Sequence, residues 1–358
     1  MVNPRVQKVA IKDIARMCHV STQTISRVIN KSPNVATETR KLVEKTIADT
    51  GYQPSALARS LVQKRSYTFG VIIAGLKYVG VSQTLNGITE QCEASNYTLL
   101  IKELPHFNSS NIVSLIGSLI AHHVEGIIFA APEINDNVSL VQTCLPSFCP
   151  PIIFLKSHTN PAYPTISIDN SGGARKAVEY LLSLGRRRIG FISGPLEWLE
   201  ARQRKQGWEI ALKAAGEEVS DQYWVQGNWS SSSGESAFAE LIQKYPQMNA
   251  VFASNDQMAL GVLHYANAHG IHVPIDLAVV GFDDMAEAAH FSPSLTTVKH
   301  PLRELGIFAV KTLLAQIEGT AADHIENTII LQTDLVIRDS TSLPLSLIQG
   351  ENKVCQTM

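Results

Sequence analysis

The chain has 358 residues, 45% of them hydrophobic and 17% charged, which suits two or three domains with buried cores and excludes global disorder. Net charge is −2, yet residues 1–65 carry 12 Lys and Arg against 4 Asp and Glu, and the remainder carries 18 against 28; a small basic head on an acidic body points to a nucleic-acid-binding module joined to something else. No apolar run approaches the roughly 18 residues of a membrane span, residues 1–8 lack the apolar stretch of a secretion signal, so a cytoplasmic protein is expected, and the five cysteines show no C-x-x-C, which argues against a zinc site or a disulfide framework.

Residues 11–30 read IKDIARMCHVSTQTISRVIN. Ile11, Ile14, Ala15 and Cys18 fall at i, i+3, i+4 and i+7, one stripe of a short helix. Ser21 can cap a second helix that buries Ile25, Val28 and Ile29. Its other face offers Thr22, Gln23, Ser26, Arg27 and Asn30, all hydrogen-bonding and none acidic. Two short helices joined by a tight turn describe a helix-turn-helix. Gln can pair with adenine and Arg with guanine in the major groove. A third helix over 37–50, with Val43 and Ile47 inward, ends at Gly51.

From Tyr67 onward short β-rich runs alternate with helical stretches. Strands are expected at 69–74, 98–101, 126–130, 152–155, 189–192, 250–253 and 277–282. Helices are expected near 83–95, 111–122, 171–184, 201–215, 234–244, 256–269 and 302–318. Continuous apolar strands flanked by helices mean parallel sheets covered on both faces. The fold class is therefore α/β, an all-α head followed by two doubly wound lobes. A ligand would sit at the carboxyl ends of the strands.

Several residues stand where that rule puts a site. Asp283 and Asp284 follow the run 277–282; a carboxylate there can hold two vicinal hydroxyls, and the alternative is helix capping, which is preferred for Asp284. Asn255 and Asp256 follow the run 250–253. Asn255 offers a donor and an acceptor, while Asp256 reaches the ligand or caps the next helix. Arg202 sits near a helix start, against the helix dipole, which suggests another purpose, a fork to a hydroxyl or carboxylate. Trp229, in a Ser-rich loop, can stack on a sugar face, and Trp198 is a weaker candidate of the same kind. No P-loop, G-x-S-x-G, H-E-x-x-H or dinucleotide fingerprint occurs. No nucleophile–base pair suggests an enzyme, and no cofactor is expected.

The run D-I-A-R-x-x-x-V-S-x-x-T-I-S-R-V-I-N, then V-A-x-x-T-R, then G-Y-x-P-S-A-L-A-R-S-L, resembles the lactose-repressor (LacI/GalR) family of bacterial regulators. Further matching segments are Gly194-Pro195-Leu196, Ala201-Arg202, Gly207-Trp208, 255–261, 280–284 and 295–299. The resemblance covers residues 9–338. It implies that Thr22, Gln23 and Arg27 read bases, and that Ser21, Ser26, Asn30 and Thr39 contact phosphates or fix the helix. It also implies a hinge helix at 54–62 that forms on DNA. Leu61 would enter the minor groove, with Ala58 packing across a dimer axis. The implied body is periplasmic-binding-protein-like, with a carbohydrate effector in its cleft. The implied partners are pseudo-palindromic operator DNA, that effector and a second copy of the chain.

The resulting domains are a DNA-binding head at 1–53, a hinge and linker at 54–66, an effector-binding and dimerisation body at 67–340, and a tail at 341–358. The N-terminal lobe is expected at 67–167 and 300–327, the C-terminal lobe at 168–299 and 328–340. The tail lacks leucine heptads, so no tetramerising bundle is expected. Ala10 and Ala36 replace helix-capping Ser or Thr, each at about 1 kcal/mol. His19 replaces a turn Gly, and Ser55 a hinge Asn. On the cleft side Lys156 aligns with a family Asp. Ala74 and Ile168 replace a Ser and an aromatic, and Ile168 is followed by Asp169. Lys156 would accept an acidic sugar or pair with Asp169. The competing reading is a sugar receptor for transport, which shares the body's fold but requires export and has no use for the head.

Overall fold

The computed structural model describes residues 9–29, 32–53, 65–104, 111–134, 137–145, 147–157, 163–320 and 328–342. Asn30 and the hinge segment with Ala58 and Leu61 lie outside these. Two compact units divide the chain, Met1–Tyr67 and Thr68–Met358.

The first unit is three helices, α1 (Ile11–Met17), α2 (Thr22–Ile29) and α3 (Thr37–Thr50). Ile14, Ala15, Cys18, Ile25, Val28 and Val43 form its core, with Ile29 and Ile47 packed against it. Ser21 Oγ accepts a hydrogen bond from Thr24 N at 3.1 Å, capping α2. Ala10 has no hydroxyl to cap α1, but its own N–H donates to Asp13 Oδ2 at 2.9 Å, the return half of a capping box. His19 makes the turn at φ 53°, a left-handed conformation that His tolerates better than most side chains. Gly51, at φ 62°, ends α3.

The second unit holds two six-stranded sheets. The N-terminal sheet contains β1 (Thr68–Ala74), β2 (Thr98–Leu104), β3 (Gly126–Phe129), β4 (Ile152–Leu155), β5 (Thr165–Ile168) and β11 (Thr328–Leu331), in the order β11-β5-β4-β3-β1-β2. The C-terminal sheet contains β6 (Ile189–Ser193), β7 (Trp224–Gln226), β8 (Ala250–Ala253), β9 (Ala278–Asp283), β10 (Thr296–Lys299) and β12 (Asp334–Val336), in the order β12-β10-β9-β8-β6-β7. All pairings are parallel except that of β12 with β10. The central strands β3, β4 and β8 are wholly apolar and buried, as crossover helices on both faces require. Crossover helices include α4 (Val79–Ala94), α5 (Ile112–Ala121), α6 (Asn137–Cys144), α7 (Asn170–Ser183), α8 (Leu199–Ala214), α9 (Ser231–Lys244), α10 (Asp256–Ala268) and α11 (Leu302–Ile317). Helices α4 and α11 approach closely through Gly87 and Gly306, where a Cβ would meet the carbonyls of Arg303 and Thr84. Among the described residues no helix is long and apolar enough to cross a membrane.

One expected boundary is corrected. Residues 328–340 were assigned to the C-terminal lobe, but Thr328–Leu331 pairs in parallel with Thr165–Ile168 and closes the edge of the N-terminal sheet. The third crossing falls at 332–333. An unpaired strand edge is a strong acceptor for any apolar tetrapeptide, and lateral pairing of this kind leaves no mark in the sequence. Strands β5, β7, β10, β11 and β12 and helix α6 were not expected. The five strands have three or four residues each, and all but β11 lack the continuous apolar run that marks the equally short β3, β4 and β8.

Candidate functional site

On the head, Thr22, Gln23 and Arg27 are exposed, and Ser26 and Thr39 are half-buried. Gln23 and Arg27 are one turn apart and share a face, opposite Ile25 and Val28. The first turn of α2 contains no acid, so its positive dipole end is left free for an anion. The Ser21 hydroxyl is engaged as the cap of α2. It fixes the reading helix.

In the body both sheets reverse strand order beside their first strands, and the ligand rule for such sheets points to the crevice outside the carboxyl ends there. A narrow cavity of about 50 Å³ lies in that place between the two lobes. Tyr78 and Gly80 follow β1, Pro132 follows β3 and Lys156 follows β4. From the other lobe come Trp198, Glu200 and Arg204 after β6, Trp229 after β7, Asn255 after β8, Asp283 at the end of β9, and His300 after β10. Of the expected ligand residues, Lys156, Trp198, Trp229, Asn255 and Asp283 are therefore gathered in one cavity.

The geometry is specific. Trp198 and Trp229 meet edge to face with ring centres 5.7 Å apart, and Tyr78 adds an edge contact to Trp198 at 5.1 Å. Gly194 makes room for Trp229, because a Cβ there would enter the indole. Trp229 Nε1 is buried and has no hydrogen-bond partner. Asn255 caps α10, its Oδ1 accepting from Met258 N at 2.9 Å, while its Nδ2 donates to Trp229 O at 2.9 Å. It therefore holds the Trp229 loop as well as lining the cavity. The lobes touch beside the cavity, where Leu199 N donates to Glu133 O at 3.1 Å.

The polar floor is ionic. Arg204 Nη1 lies 3.6 Å from Asp283 Oδ1 and also donates to Ser254 O. Its Nε donates to Asn170 Oδ1 at 2.9 Å, and its guanidinium sits 3.8 Å over the Phe282 ring. His300 Nδ1 is 3.3 Å from Asp283 Oδ1, and neither ring nitrogen makes a hydrogen bond. Burial pushes this imidazole down to about 4; Asp283 opposes the shift and Arg204 reinforces it. Lys156 Nζ donates to Gly80 O at 2.9 Å. Burial lowers the Lys156 ammonium, against the pull of Glu200 and Asp283. Burial raises the Glu200 carboxyl, against Lys156 and Arg204, with Glu133 adding to the rise.

Three expected site residues lie elsewhere. Arg202 is exposed, and its Nη1 donates to the carbonyls of Leu196 and Glu197 at 2.9 and 2.8 Å. Side chains two positions apart on a helix point about 200° apart, so the residue facing the cleft is Arg204. Asp169 caps α7, its Oδ1 accepting from Gly172 N at 2.7 Å, and is no partner of Lys156. Asp256 is fully buried behind the cavity wall, where it accepts from Thr297 Oγ1 at 2.5 Å and Met285 N at 2.9 Å. Burial holds its carboxyl well above the usual range. Asp284 is an ion-pair partner of Arg338 at 2.7 Å, not a helix cap. Sequence reasoning missed Tyr78, Glu200, Arg204 and His300. For the helical pair the signal was available, since Glu200, Arg204 and the core residue Trp208 recur every four residues.

Comparison with known proteins identifies the family. Residues 10–55 match the model of bacterial regulatory proteins of the lacI family, and residues 178–341 that of a periplasmic binding protein-like domain. Catabolite control protein A of Priestia megaterium is 32% identical over 316 residues, 88% of this chain and 94% of that protein. The chain belongs to the LacI family of bacterial transcriptional regulators. Among its LacI-family relatives, the HTH-type transcriptional repressor CytR of Escherichia coli (strain K12) is 31% identical over 92% of this chain and 96% of its own length. Among solved structures, the Lac repressor dimer bound to operator and the anti-inducer ONPF superposes with a TM-score of 0.81 at 29% identity, covering 94% of this chain and 99% of that one. The CelR–cellobiose complex superposes with a TM-score of 0.67 at 28% identity, covering 93% and 99%. This LacI-family chain is a DNA-binding repressor-type regulator with a small-molecule effector domain, not an enzyme.

Proposed function

We propose that the chain represses carbohydrate-utilisation genes in the cytoplasm, and that a polyhydroxylated effector in the interlobe cavity sets its operator affinity. One observation carries the reading: a Trp229 face with an unpartnered Nε1 stands beside the Arg204–Asp283 pair at the strand ends. A sugar presents an apolar ring face and hydroxyls that both donate and accept. The solved relative bound to cellobiose favours the same ligand class.

In the proposed mechanism a dimer places two heads on the half-sites of a pseudo-palindrome. Thr22, Gln23 and Arg27 read bases, while Ser26, Asn30 and Thr39 position the head on phosphates. Effector in the cavity changes the angle between the lobes. The N-terminal lobe follows the hinge directly in the chain, so that change decides whether residues 54–62 fold with Leu61 in the minor groove. Coupling is reciprocal, so DNA alters effector affinity by the same factor. A thermal-shift screen of sugars, sugar acids and nucleobases on the full chain tests the reading. Stabilisation by a saccharide supports it, and stabilisation by a nucleobase alone overturns it.

A further inference from the structure

We propose that Glu200 is the specificity-determining residue of the cavity, and that by neutralising Lys156 it makes the site select an uncharged polyhydroxylated effector over an anionic one. The inference rests on the effector reading above and narrows it.

Lys156 is the residue that would suggest an acidic ligand. It lies in the cavity wall and is 93% buried, being 7% exposed. It is not alone there. Glu200 lines the same cavity from the opposite lobe at 6% exposure, and its Oε2 is buried with no hydrogen-bond partner. Glu200 and Asp283 both act electrostatically on Lys156. The remaining cation of the wall, Arg204, is matched by Asp283 at 3.6 Å. His300, a further titratable wall residue, is uncharged at neutral pH because burial lowers it to about 4.

The wall therefore holds two cationic and two anionic side chains. The balance does not depend on protonation, because Lys156 and Glu200 sum to zero whether both are charged or both are neutral. Behind the wall, Glu133 acts on Glu200 and is itself buried. An anionic ligand would add an unmatched charge to a dry site, the costly case. A neutral ligand would instead offer a hydroxyl to the free Glu200 Oε2. The N-cap position of Trp198 and the first turn of α8 fix where Glu200 points, and Arg204 follows one turn later on the same face.

The test uses full-length wild type, Glu200→Gln and Lys156→Met, with matched saccharides: glucose and glucuronate, galactose and galacturonate, cellobiose and cellobionate. Thermal shift finds the pairs that bind and calorimetry gives the ratio of affinities. Wild type should prefer the neutral member by about tenfold or more, and Glu200→Gln should move the ratio toward the acid by about tenfold, since one buried charge has been removed. That variant should also take up a proton on binding the acid, seen as a dependence of the heat on buffer. A merely structural role for Glu200 would not produce this. Lys156→Met should leave the neutral preference in place or sharpen it. Wild type that prefers the uronate, or an unchanged ratio in a folded Glu200→Gln, overturns the inference. A panel in which no saccharide of either charge binds overturns the effector reading beneath it.

Discussion

Arg204 and Asp283 stand 3.6 Å apart on the cavity floor, joining helix α8 to the end of strand β9. The pair is nearly dry, and Arg204 also holds Asn170 and the Ser254 carbonyl. Removing one partner of such a pair strands the other charge. Arg204→Met should destabilise the body by about 3–5 kcal/mol and abolish effector binding. Arg202→Ala, on the exposed face of the same helix, should cost about 1 kcal/mol or less. Urea denaturation of both variants checks the contrast, and equal effects would contradict the assignment of Arg204 to the cleft.

The same helix shows what the sequence could and could not give. Asp283, Asn255 and Trp229 were legible because a strand end in an open α/β sheet is a positional signal: the run of buried residues stops and a polar side chain follows. Arg204 was not read correctly because the motif Ala201-Arg-Gln-Arg holds two arginines, and only the helical phase set by Trp208 says which one faces in. Asp169 and Asp256 sit at the same kind of strand end as Asp283, yet Asp169 caps a helix and Asp256 holds Met285 N and Thr297 Oγ1 behind the cavity. A carboxylate two or three residues before a helix interior is equally suited to capping, and only the surrounding donors decide. The exchange of lobe partners at Thr328–Leu331 was invisible for a different reason, since sheet neighbours are set by space left over after the longer strands have paired.

His300 makes stability pH-dependent. Its folded value of about 4 lies below the ordinary 6.5, so the unfolded chain binds this proton first as pH falls. Stability is then lost on acidification from about 6.5 toward 4, by about 2 kcal/mol between about pH 7 and about pH 5. The raised carboxyls of Glu200 and Asp256 act in the opposite direction, but they are present in a His300→Gln variant too. The difference between wild type and His300→Gln, measured by denaturation at the two pH values, isolates the imidazole. A difference independent of pH would contradict its burial as a neutral group.

Asp256 supports the site from behind. Its two oxygens accept from Met285 N and Thr297 Oγ1, tying down a turn in which Asp283 and Asp284 have φ of 119° and 53°. Such backbone persists only when its surroundings hold it. Asp256→Ala leaves two buried donors unmatched and should cost about 1–3 kcal/mol of stability each, with weaker effector binding although Asp256 does not line the cavity. Calorimetry with an effector found by thermal shift checks this, and unchanged affinity would show that the turn holds itself.

On the head, Ser21 and Arg27 should separate cleanly. Ser21→Ala removes the cap of α2 and should cost about 0.5–2 kcal/mol of head stability, with sequence preference intact. Arg27→Ala should leave stability unchanged, weaken operator binding by about 1–3 kcal/mol and relax preference at one base pair per half-site. Equal weakening on operator and random DNA would mean that Arg27 touches phosphate alone.

The claim that cleft chemistry governs DNA binding is tested most directly by operator titration with an Asp283→Ala variant. The operator is selected from random-sequence DNA with wild type, and the effector is a saccharide found by thermal shift. Saturating effector should change wild-type operator affinity by about tenfold or more, within the usual range of allosteric coupling. Asp283→Ala loses stability as Arg204→Met does, but at equal concentration of folded protein it should match wild type on operator without effector and show no change when the same concentration of effector is added. A variant that responds to effector as wild type does would contradict the assignment of Asp283, and with it the cavity, to the control of DNA binding.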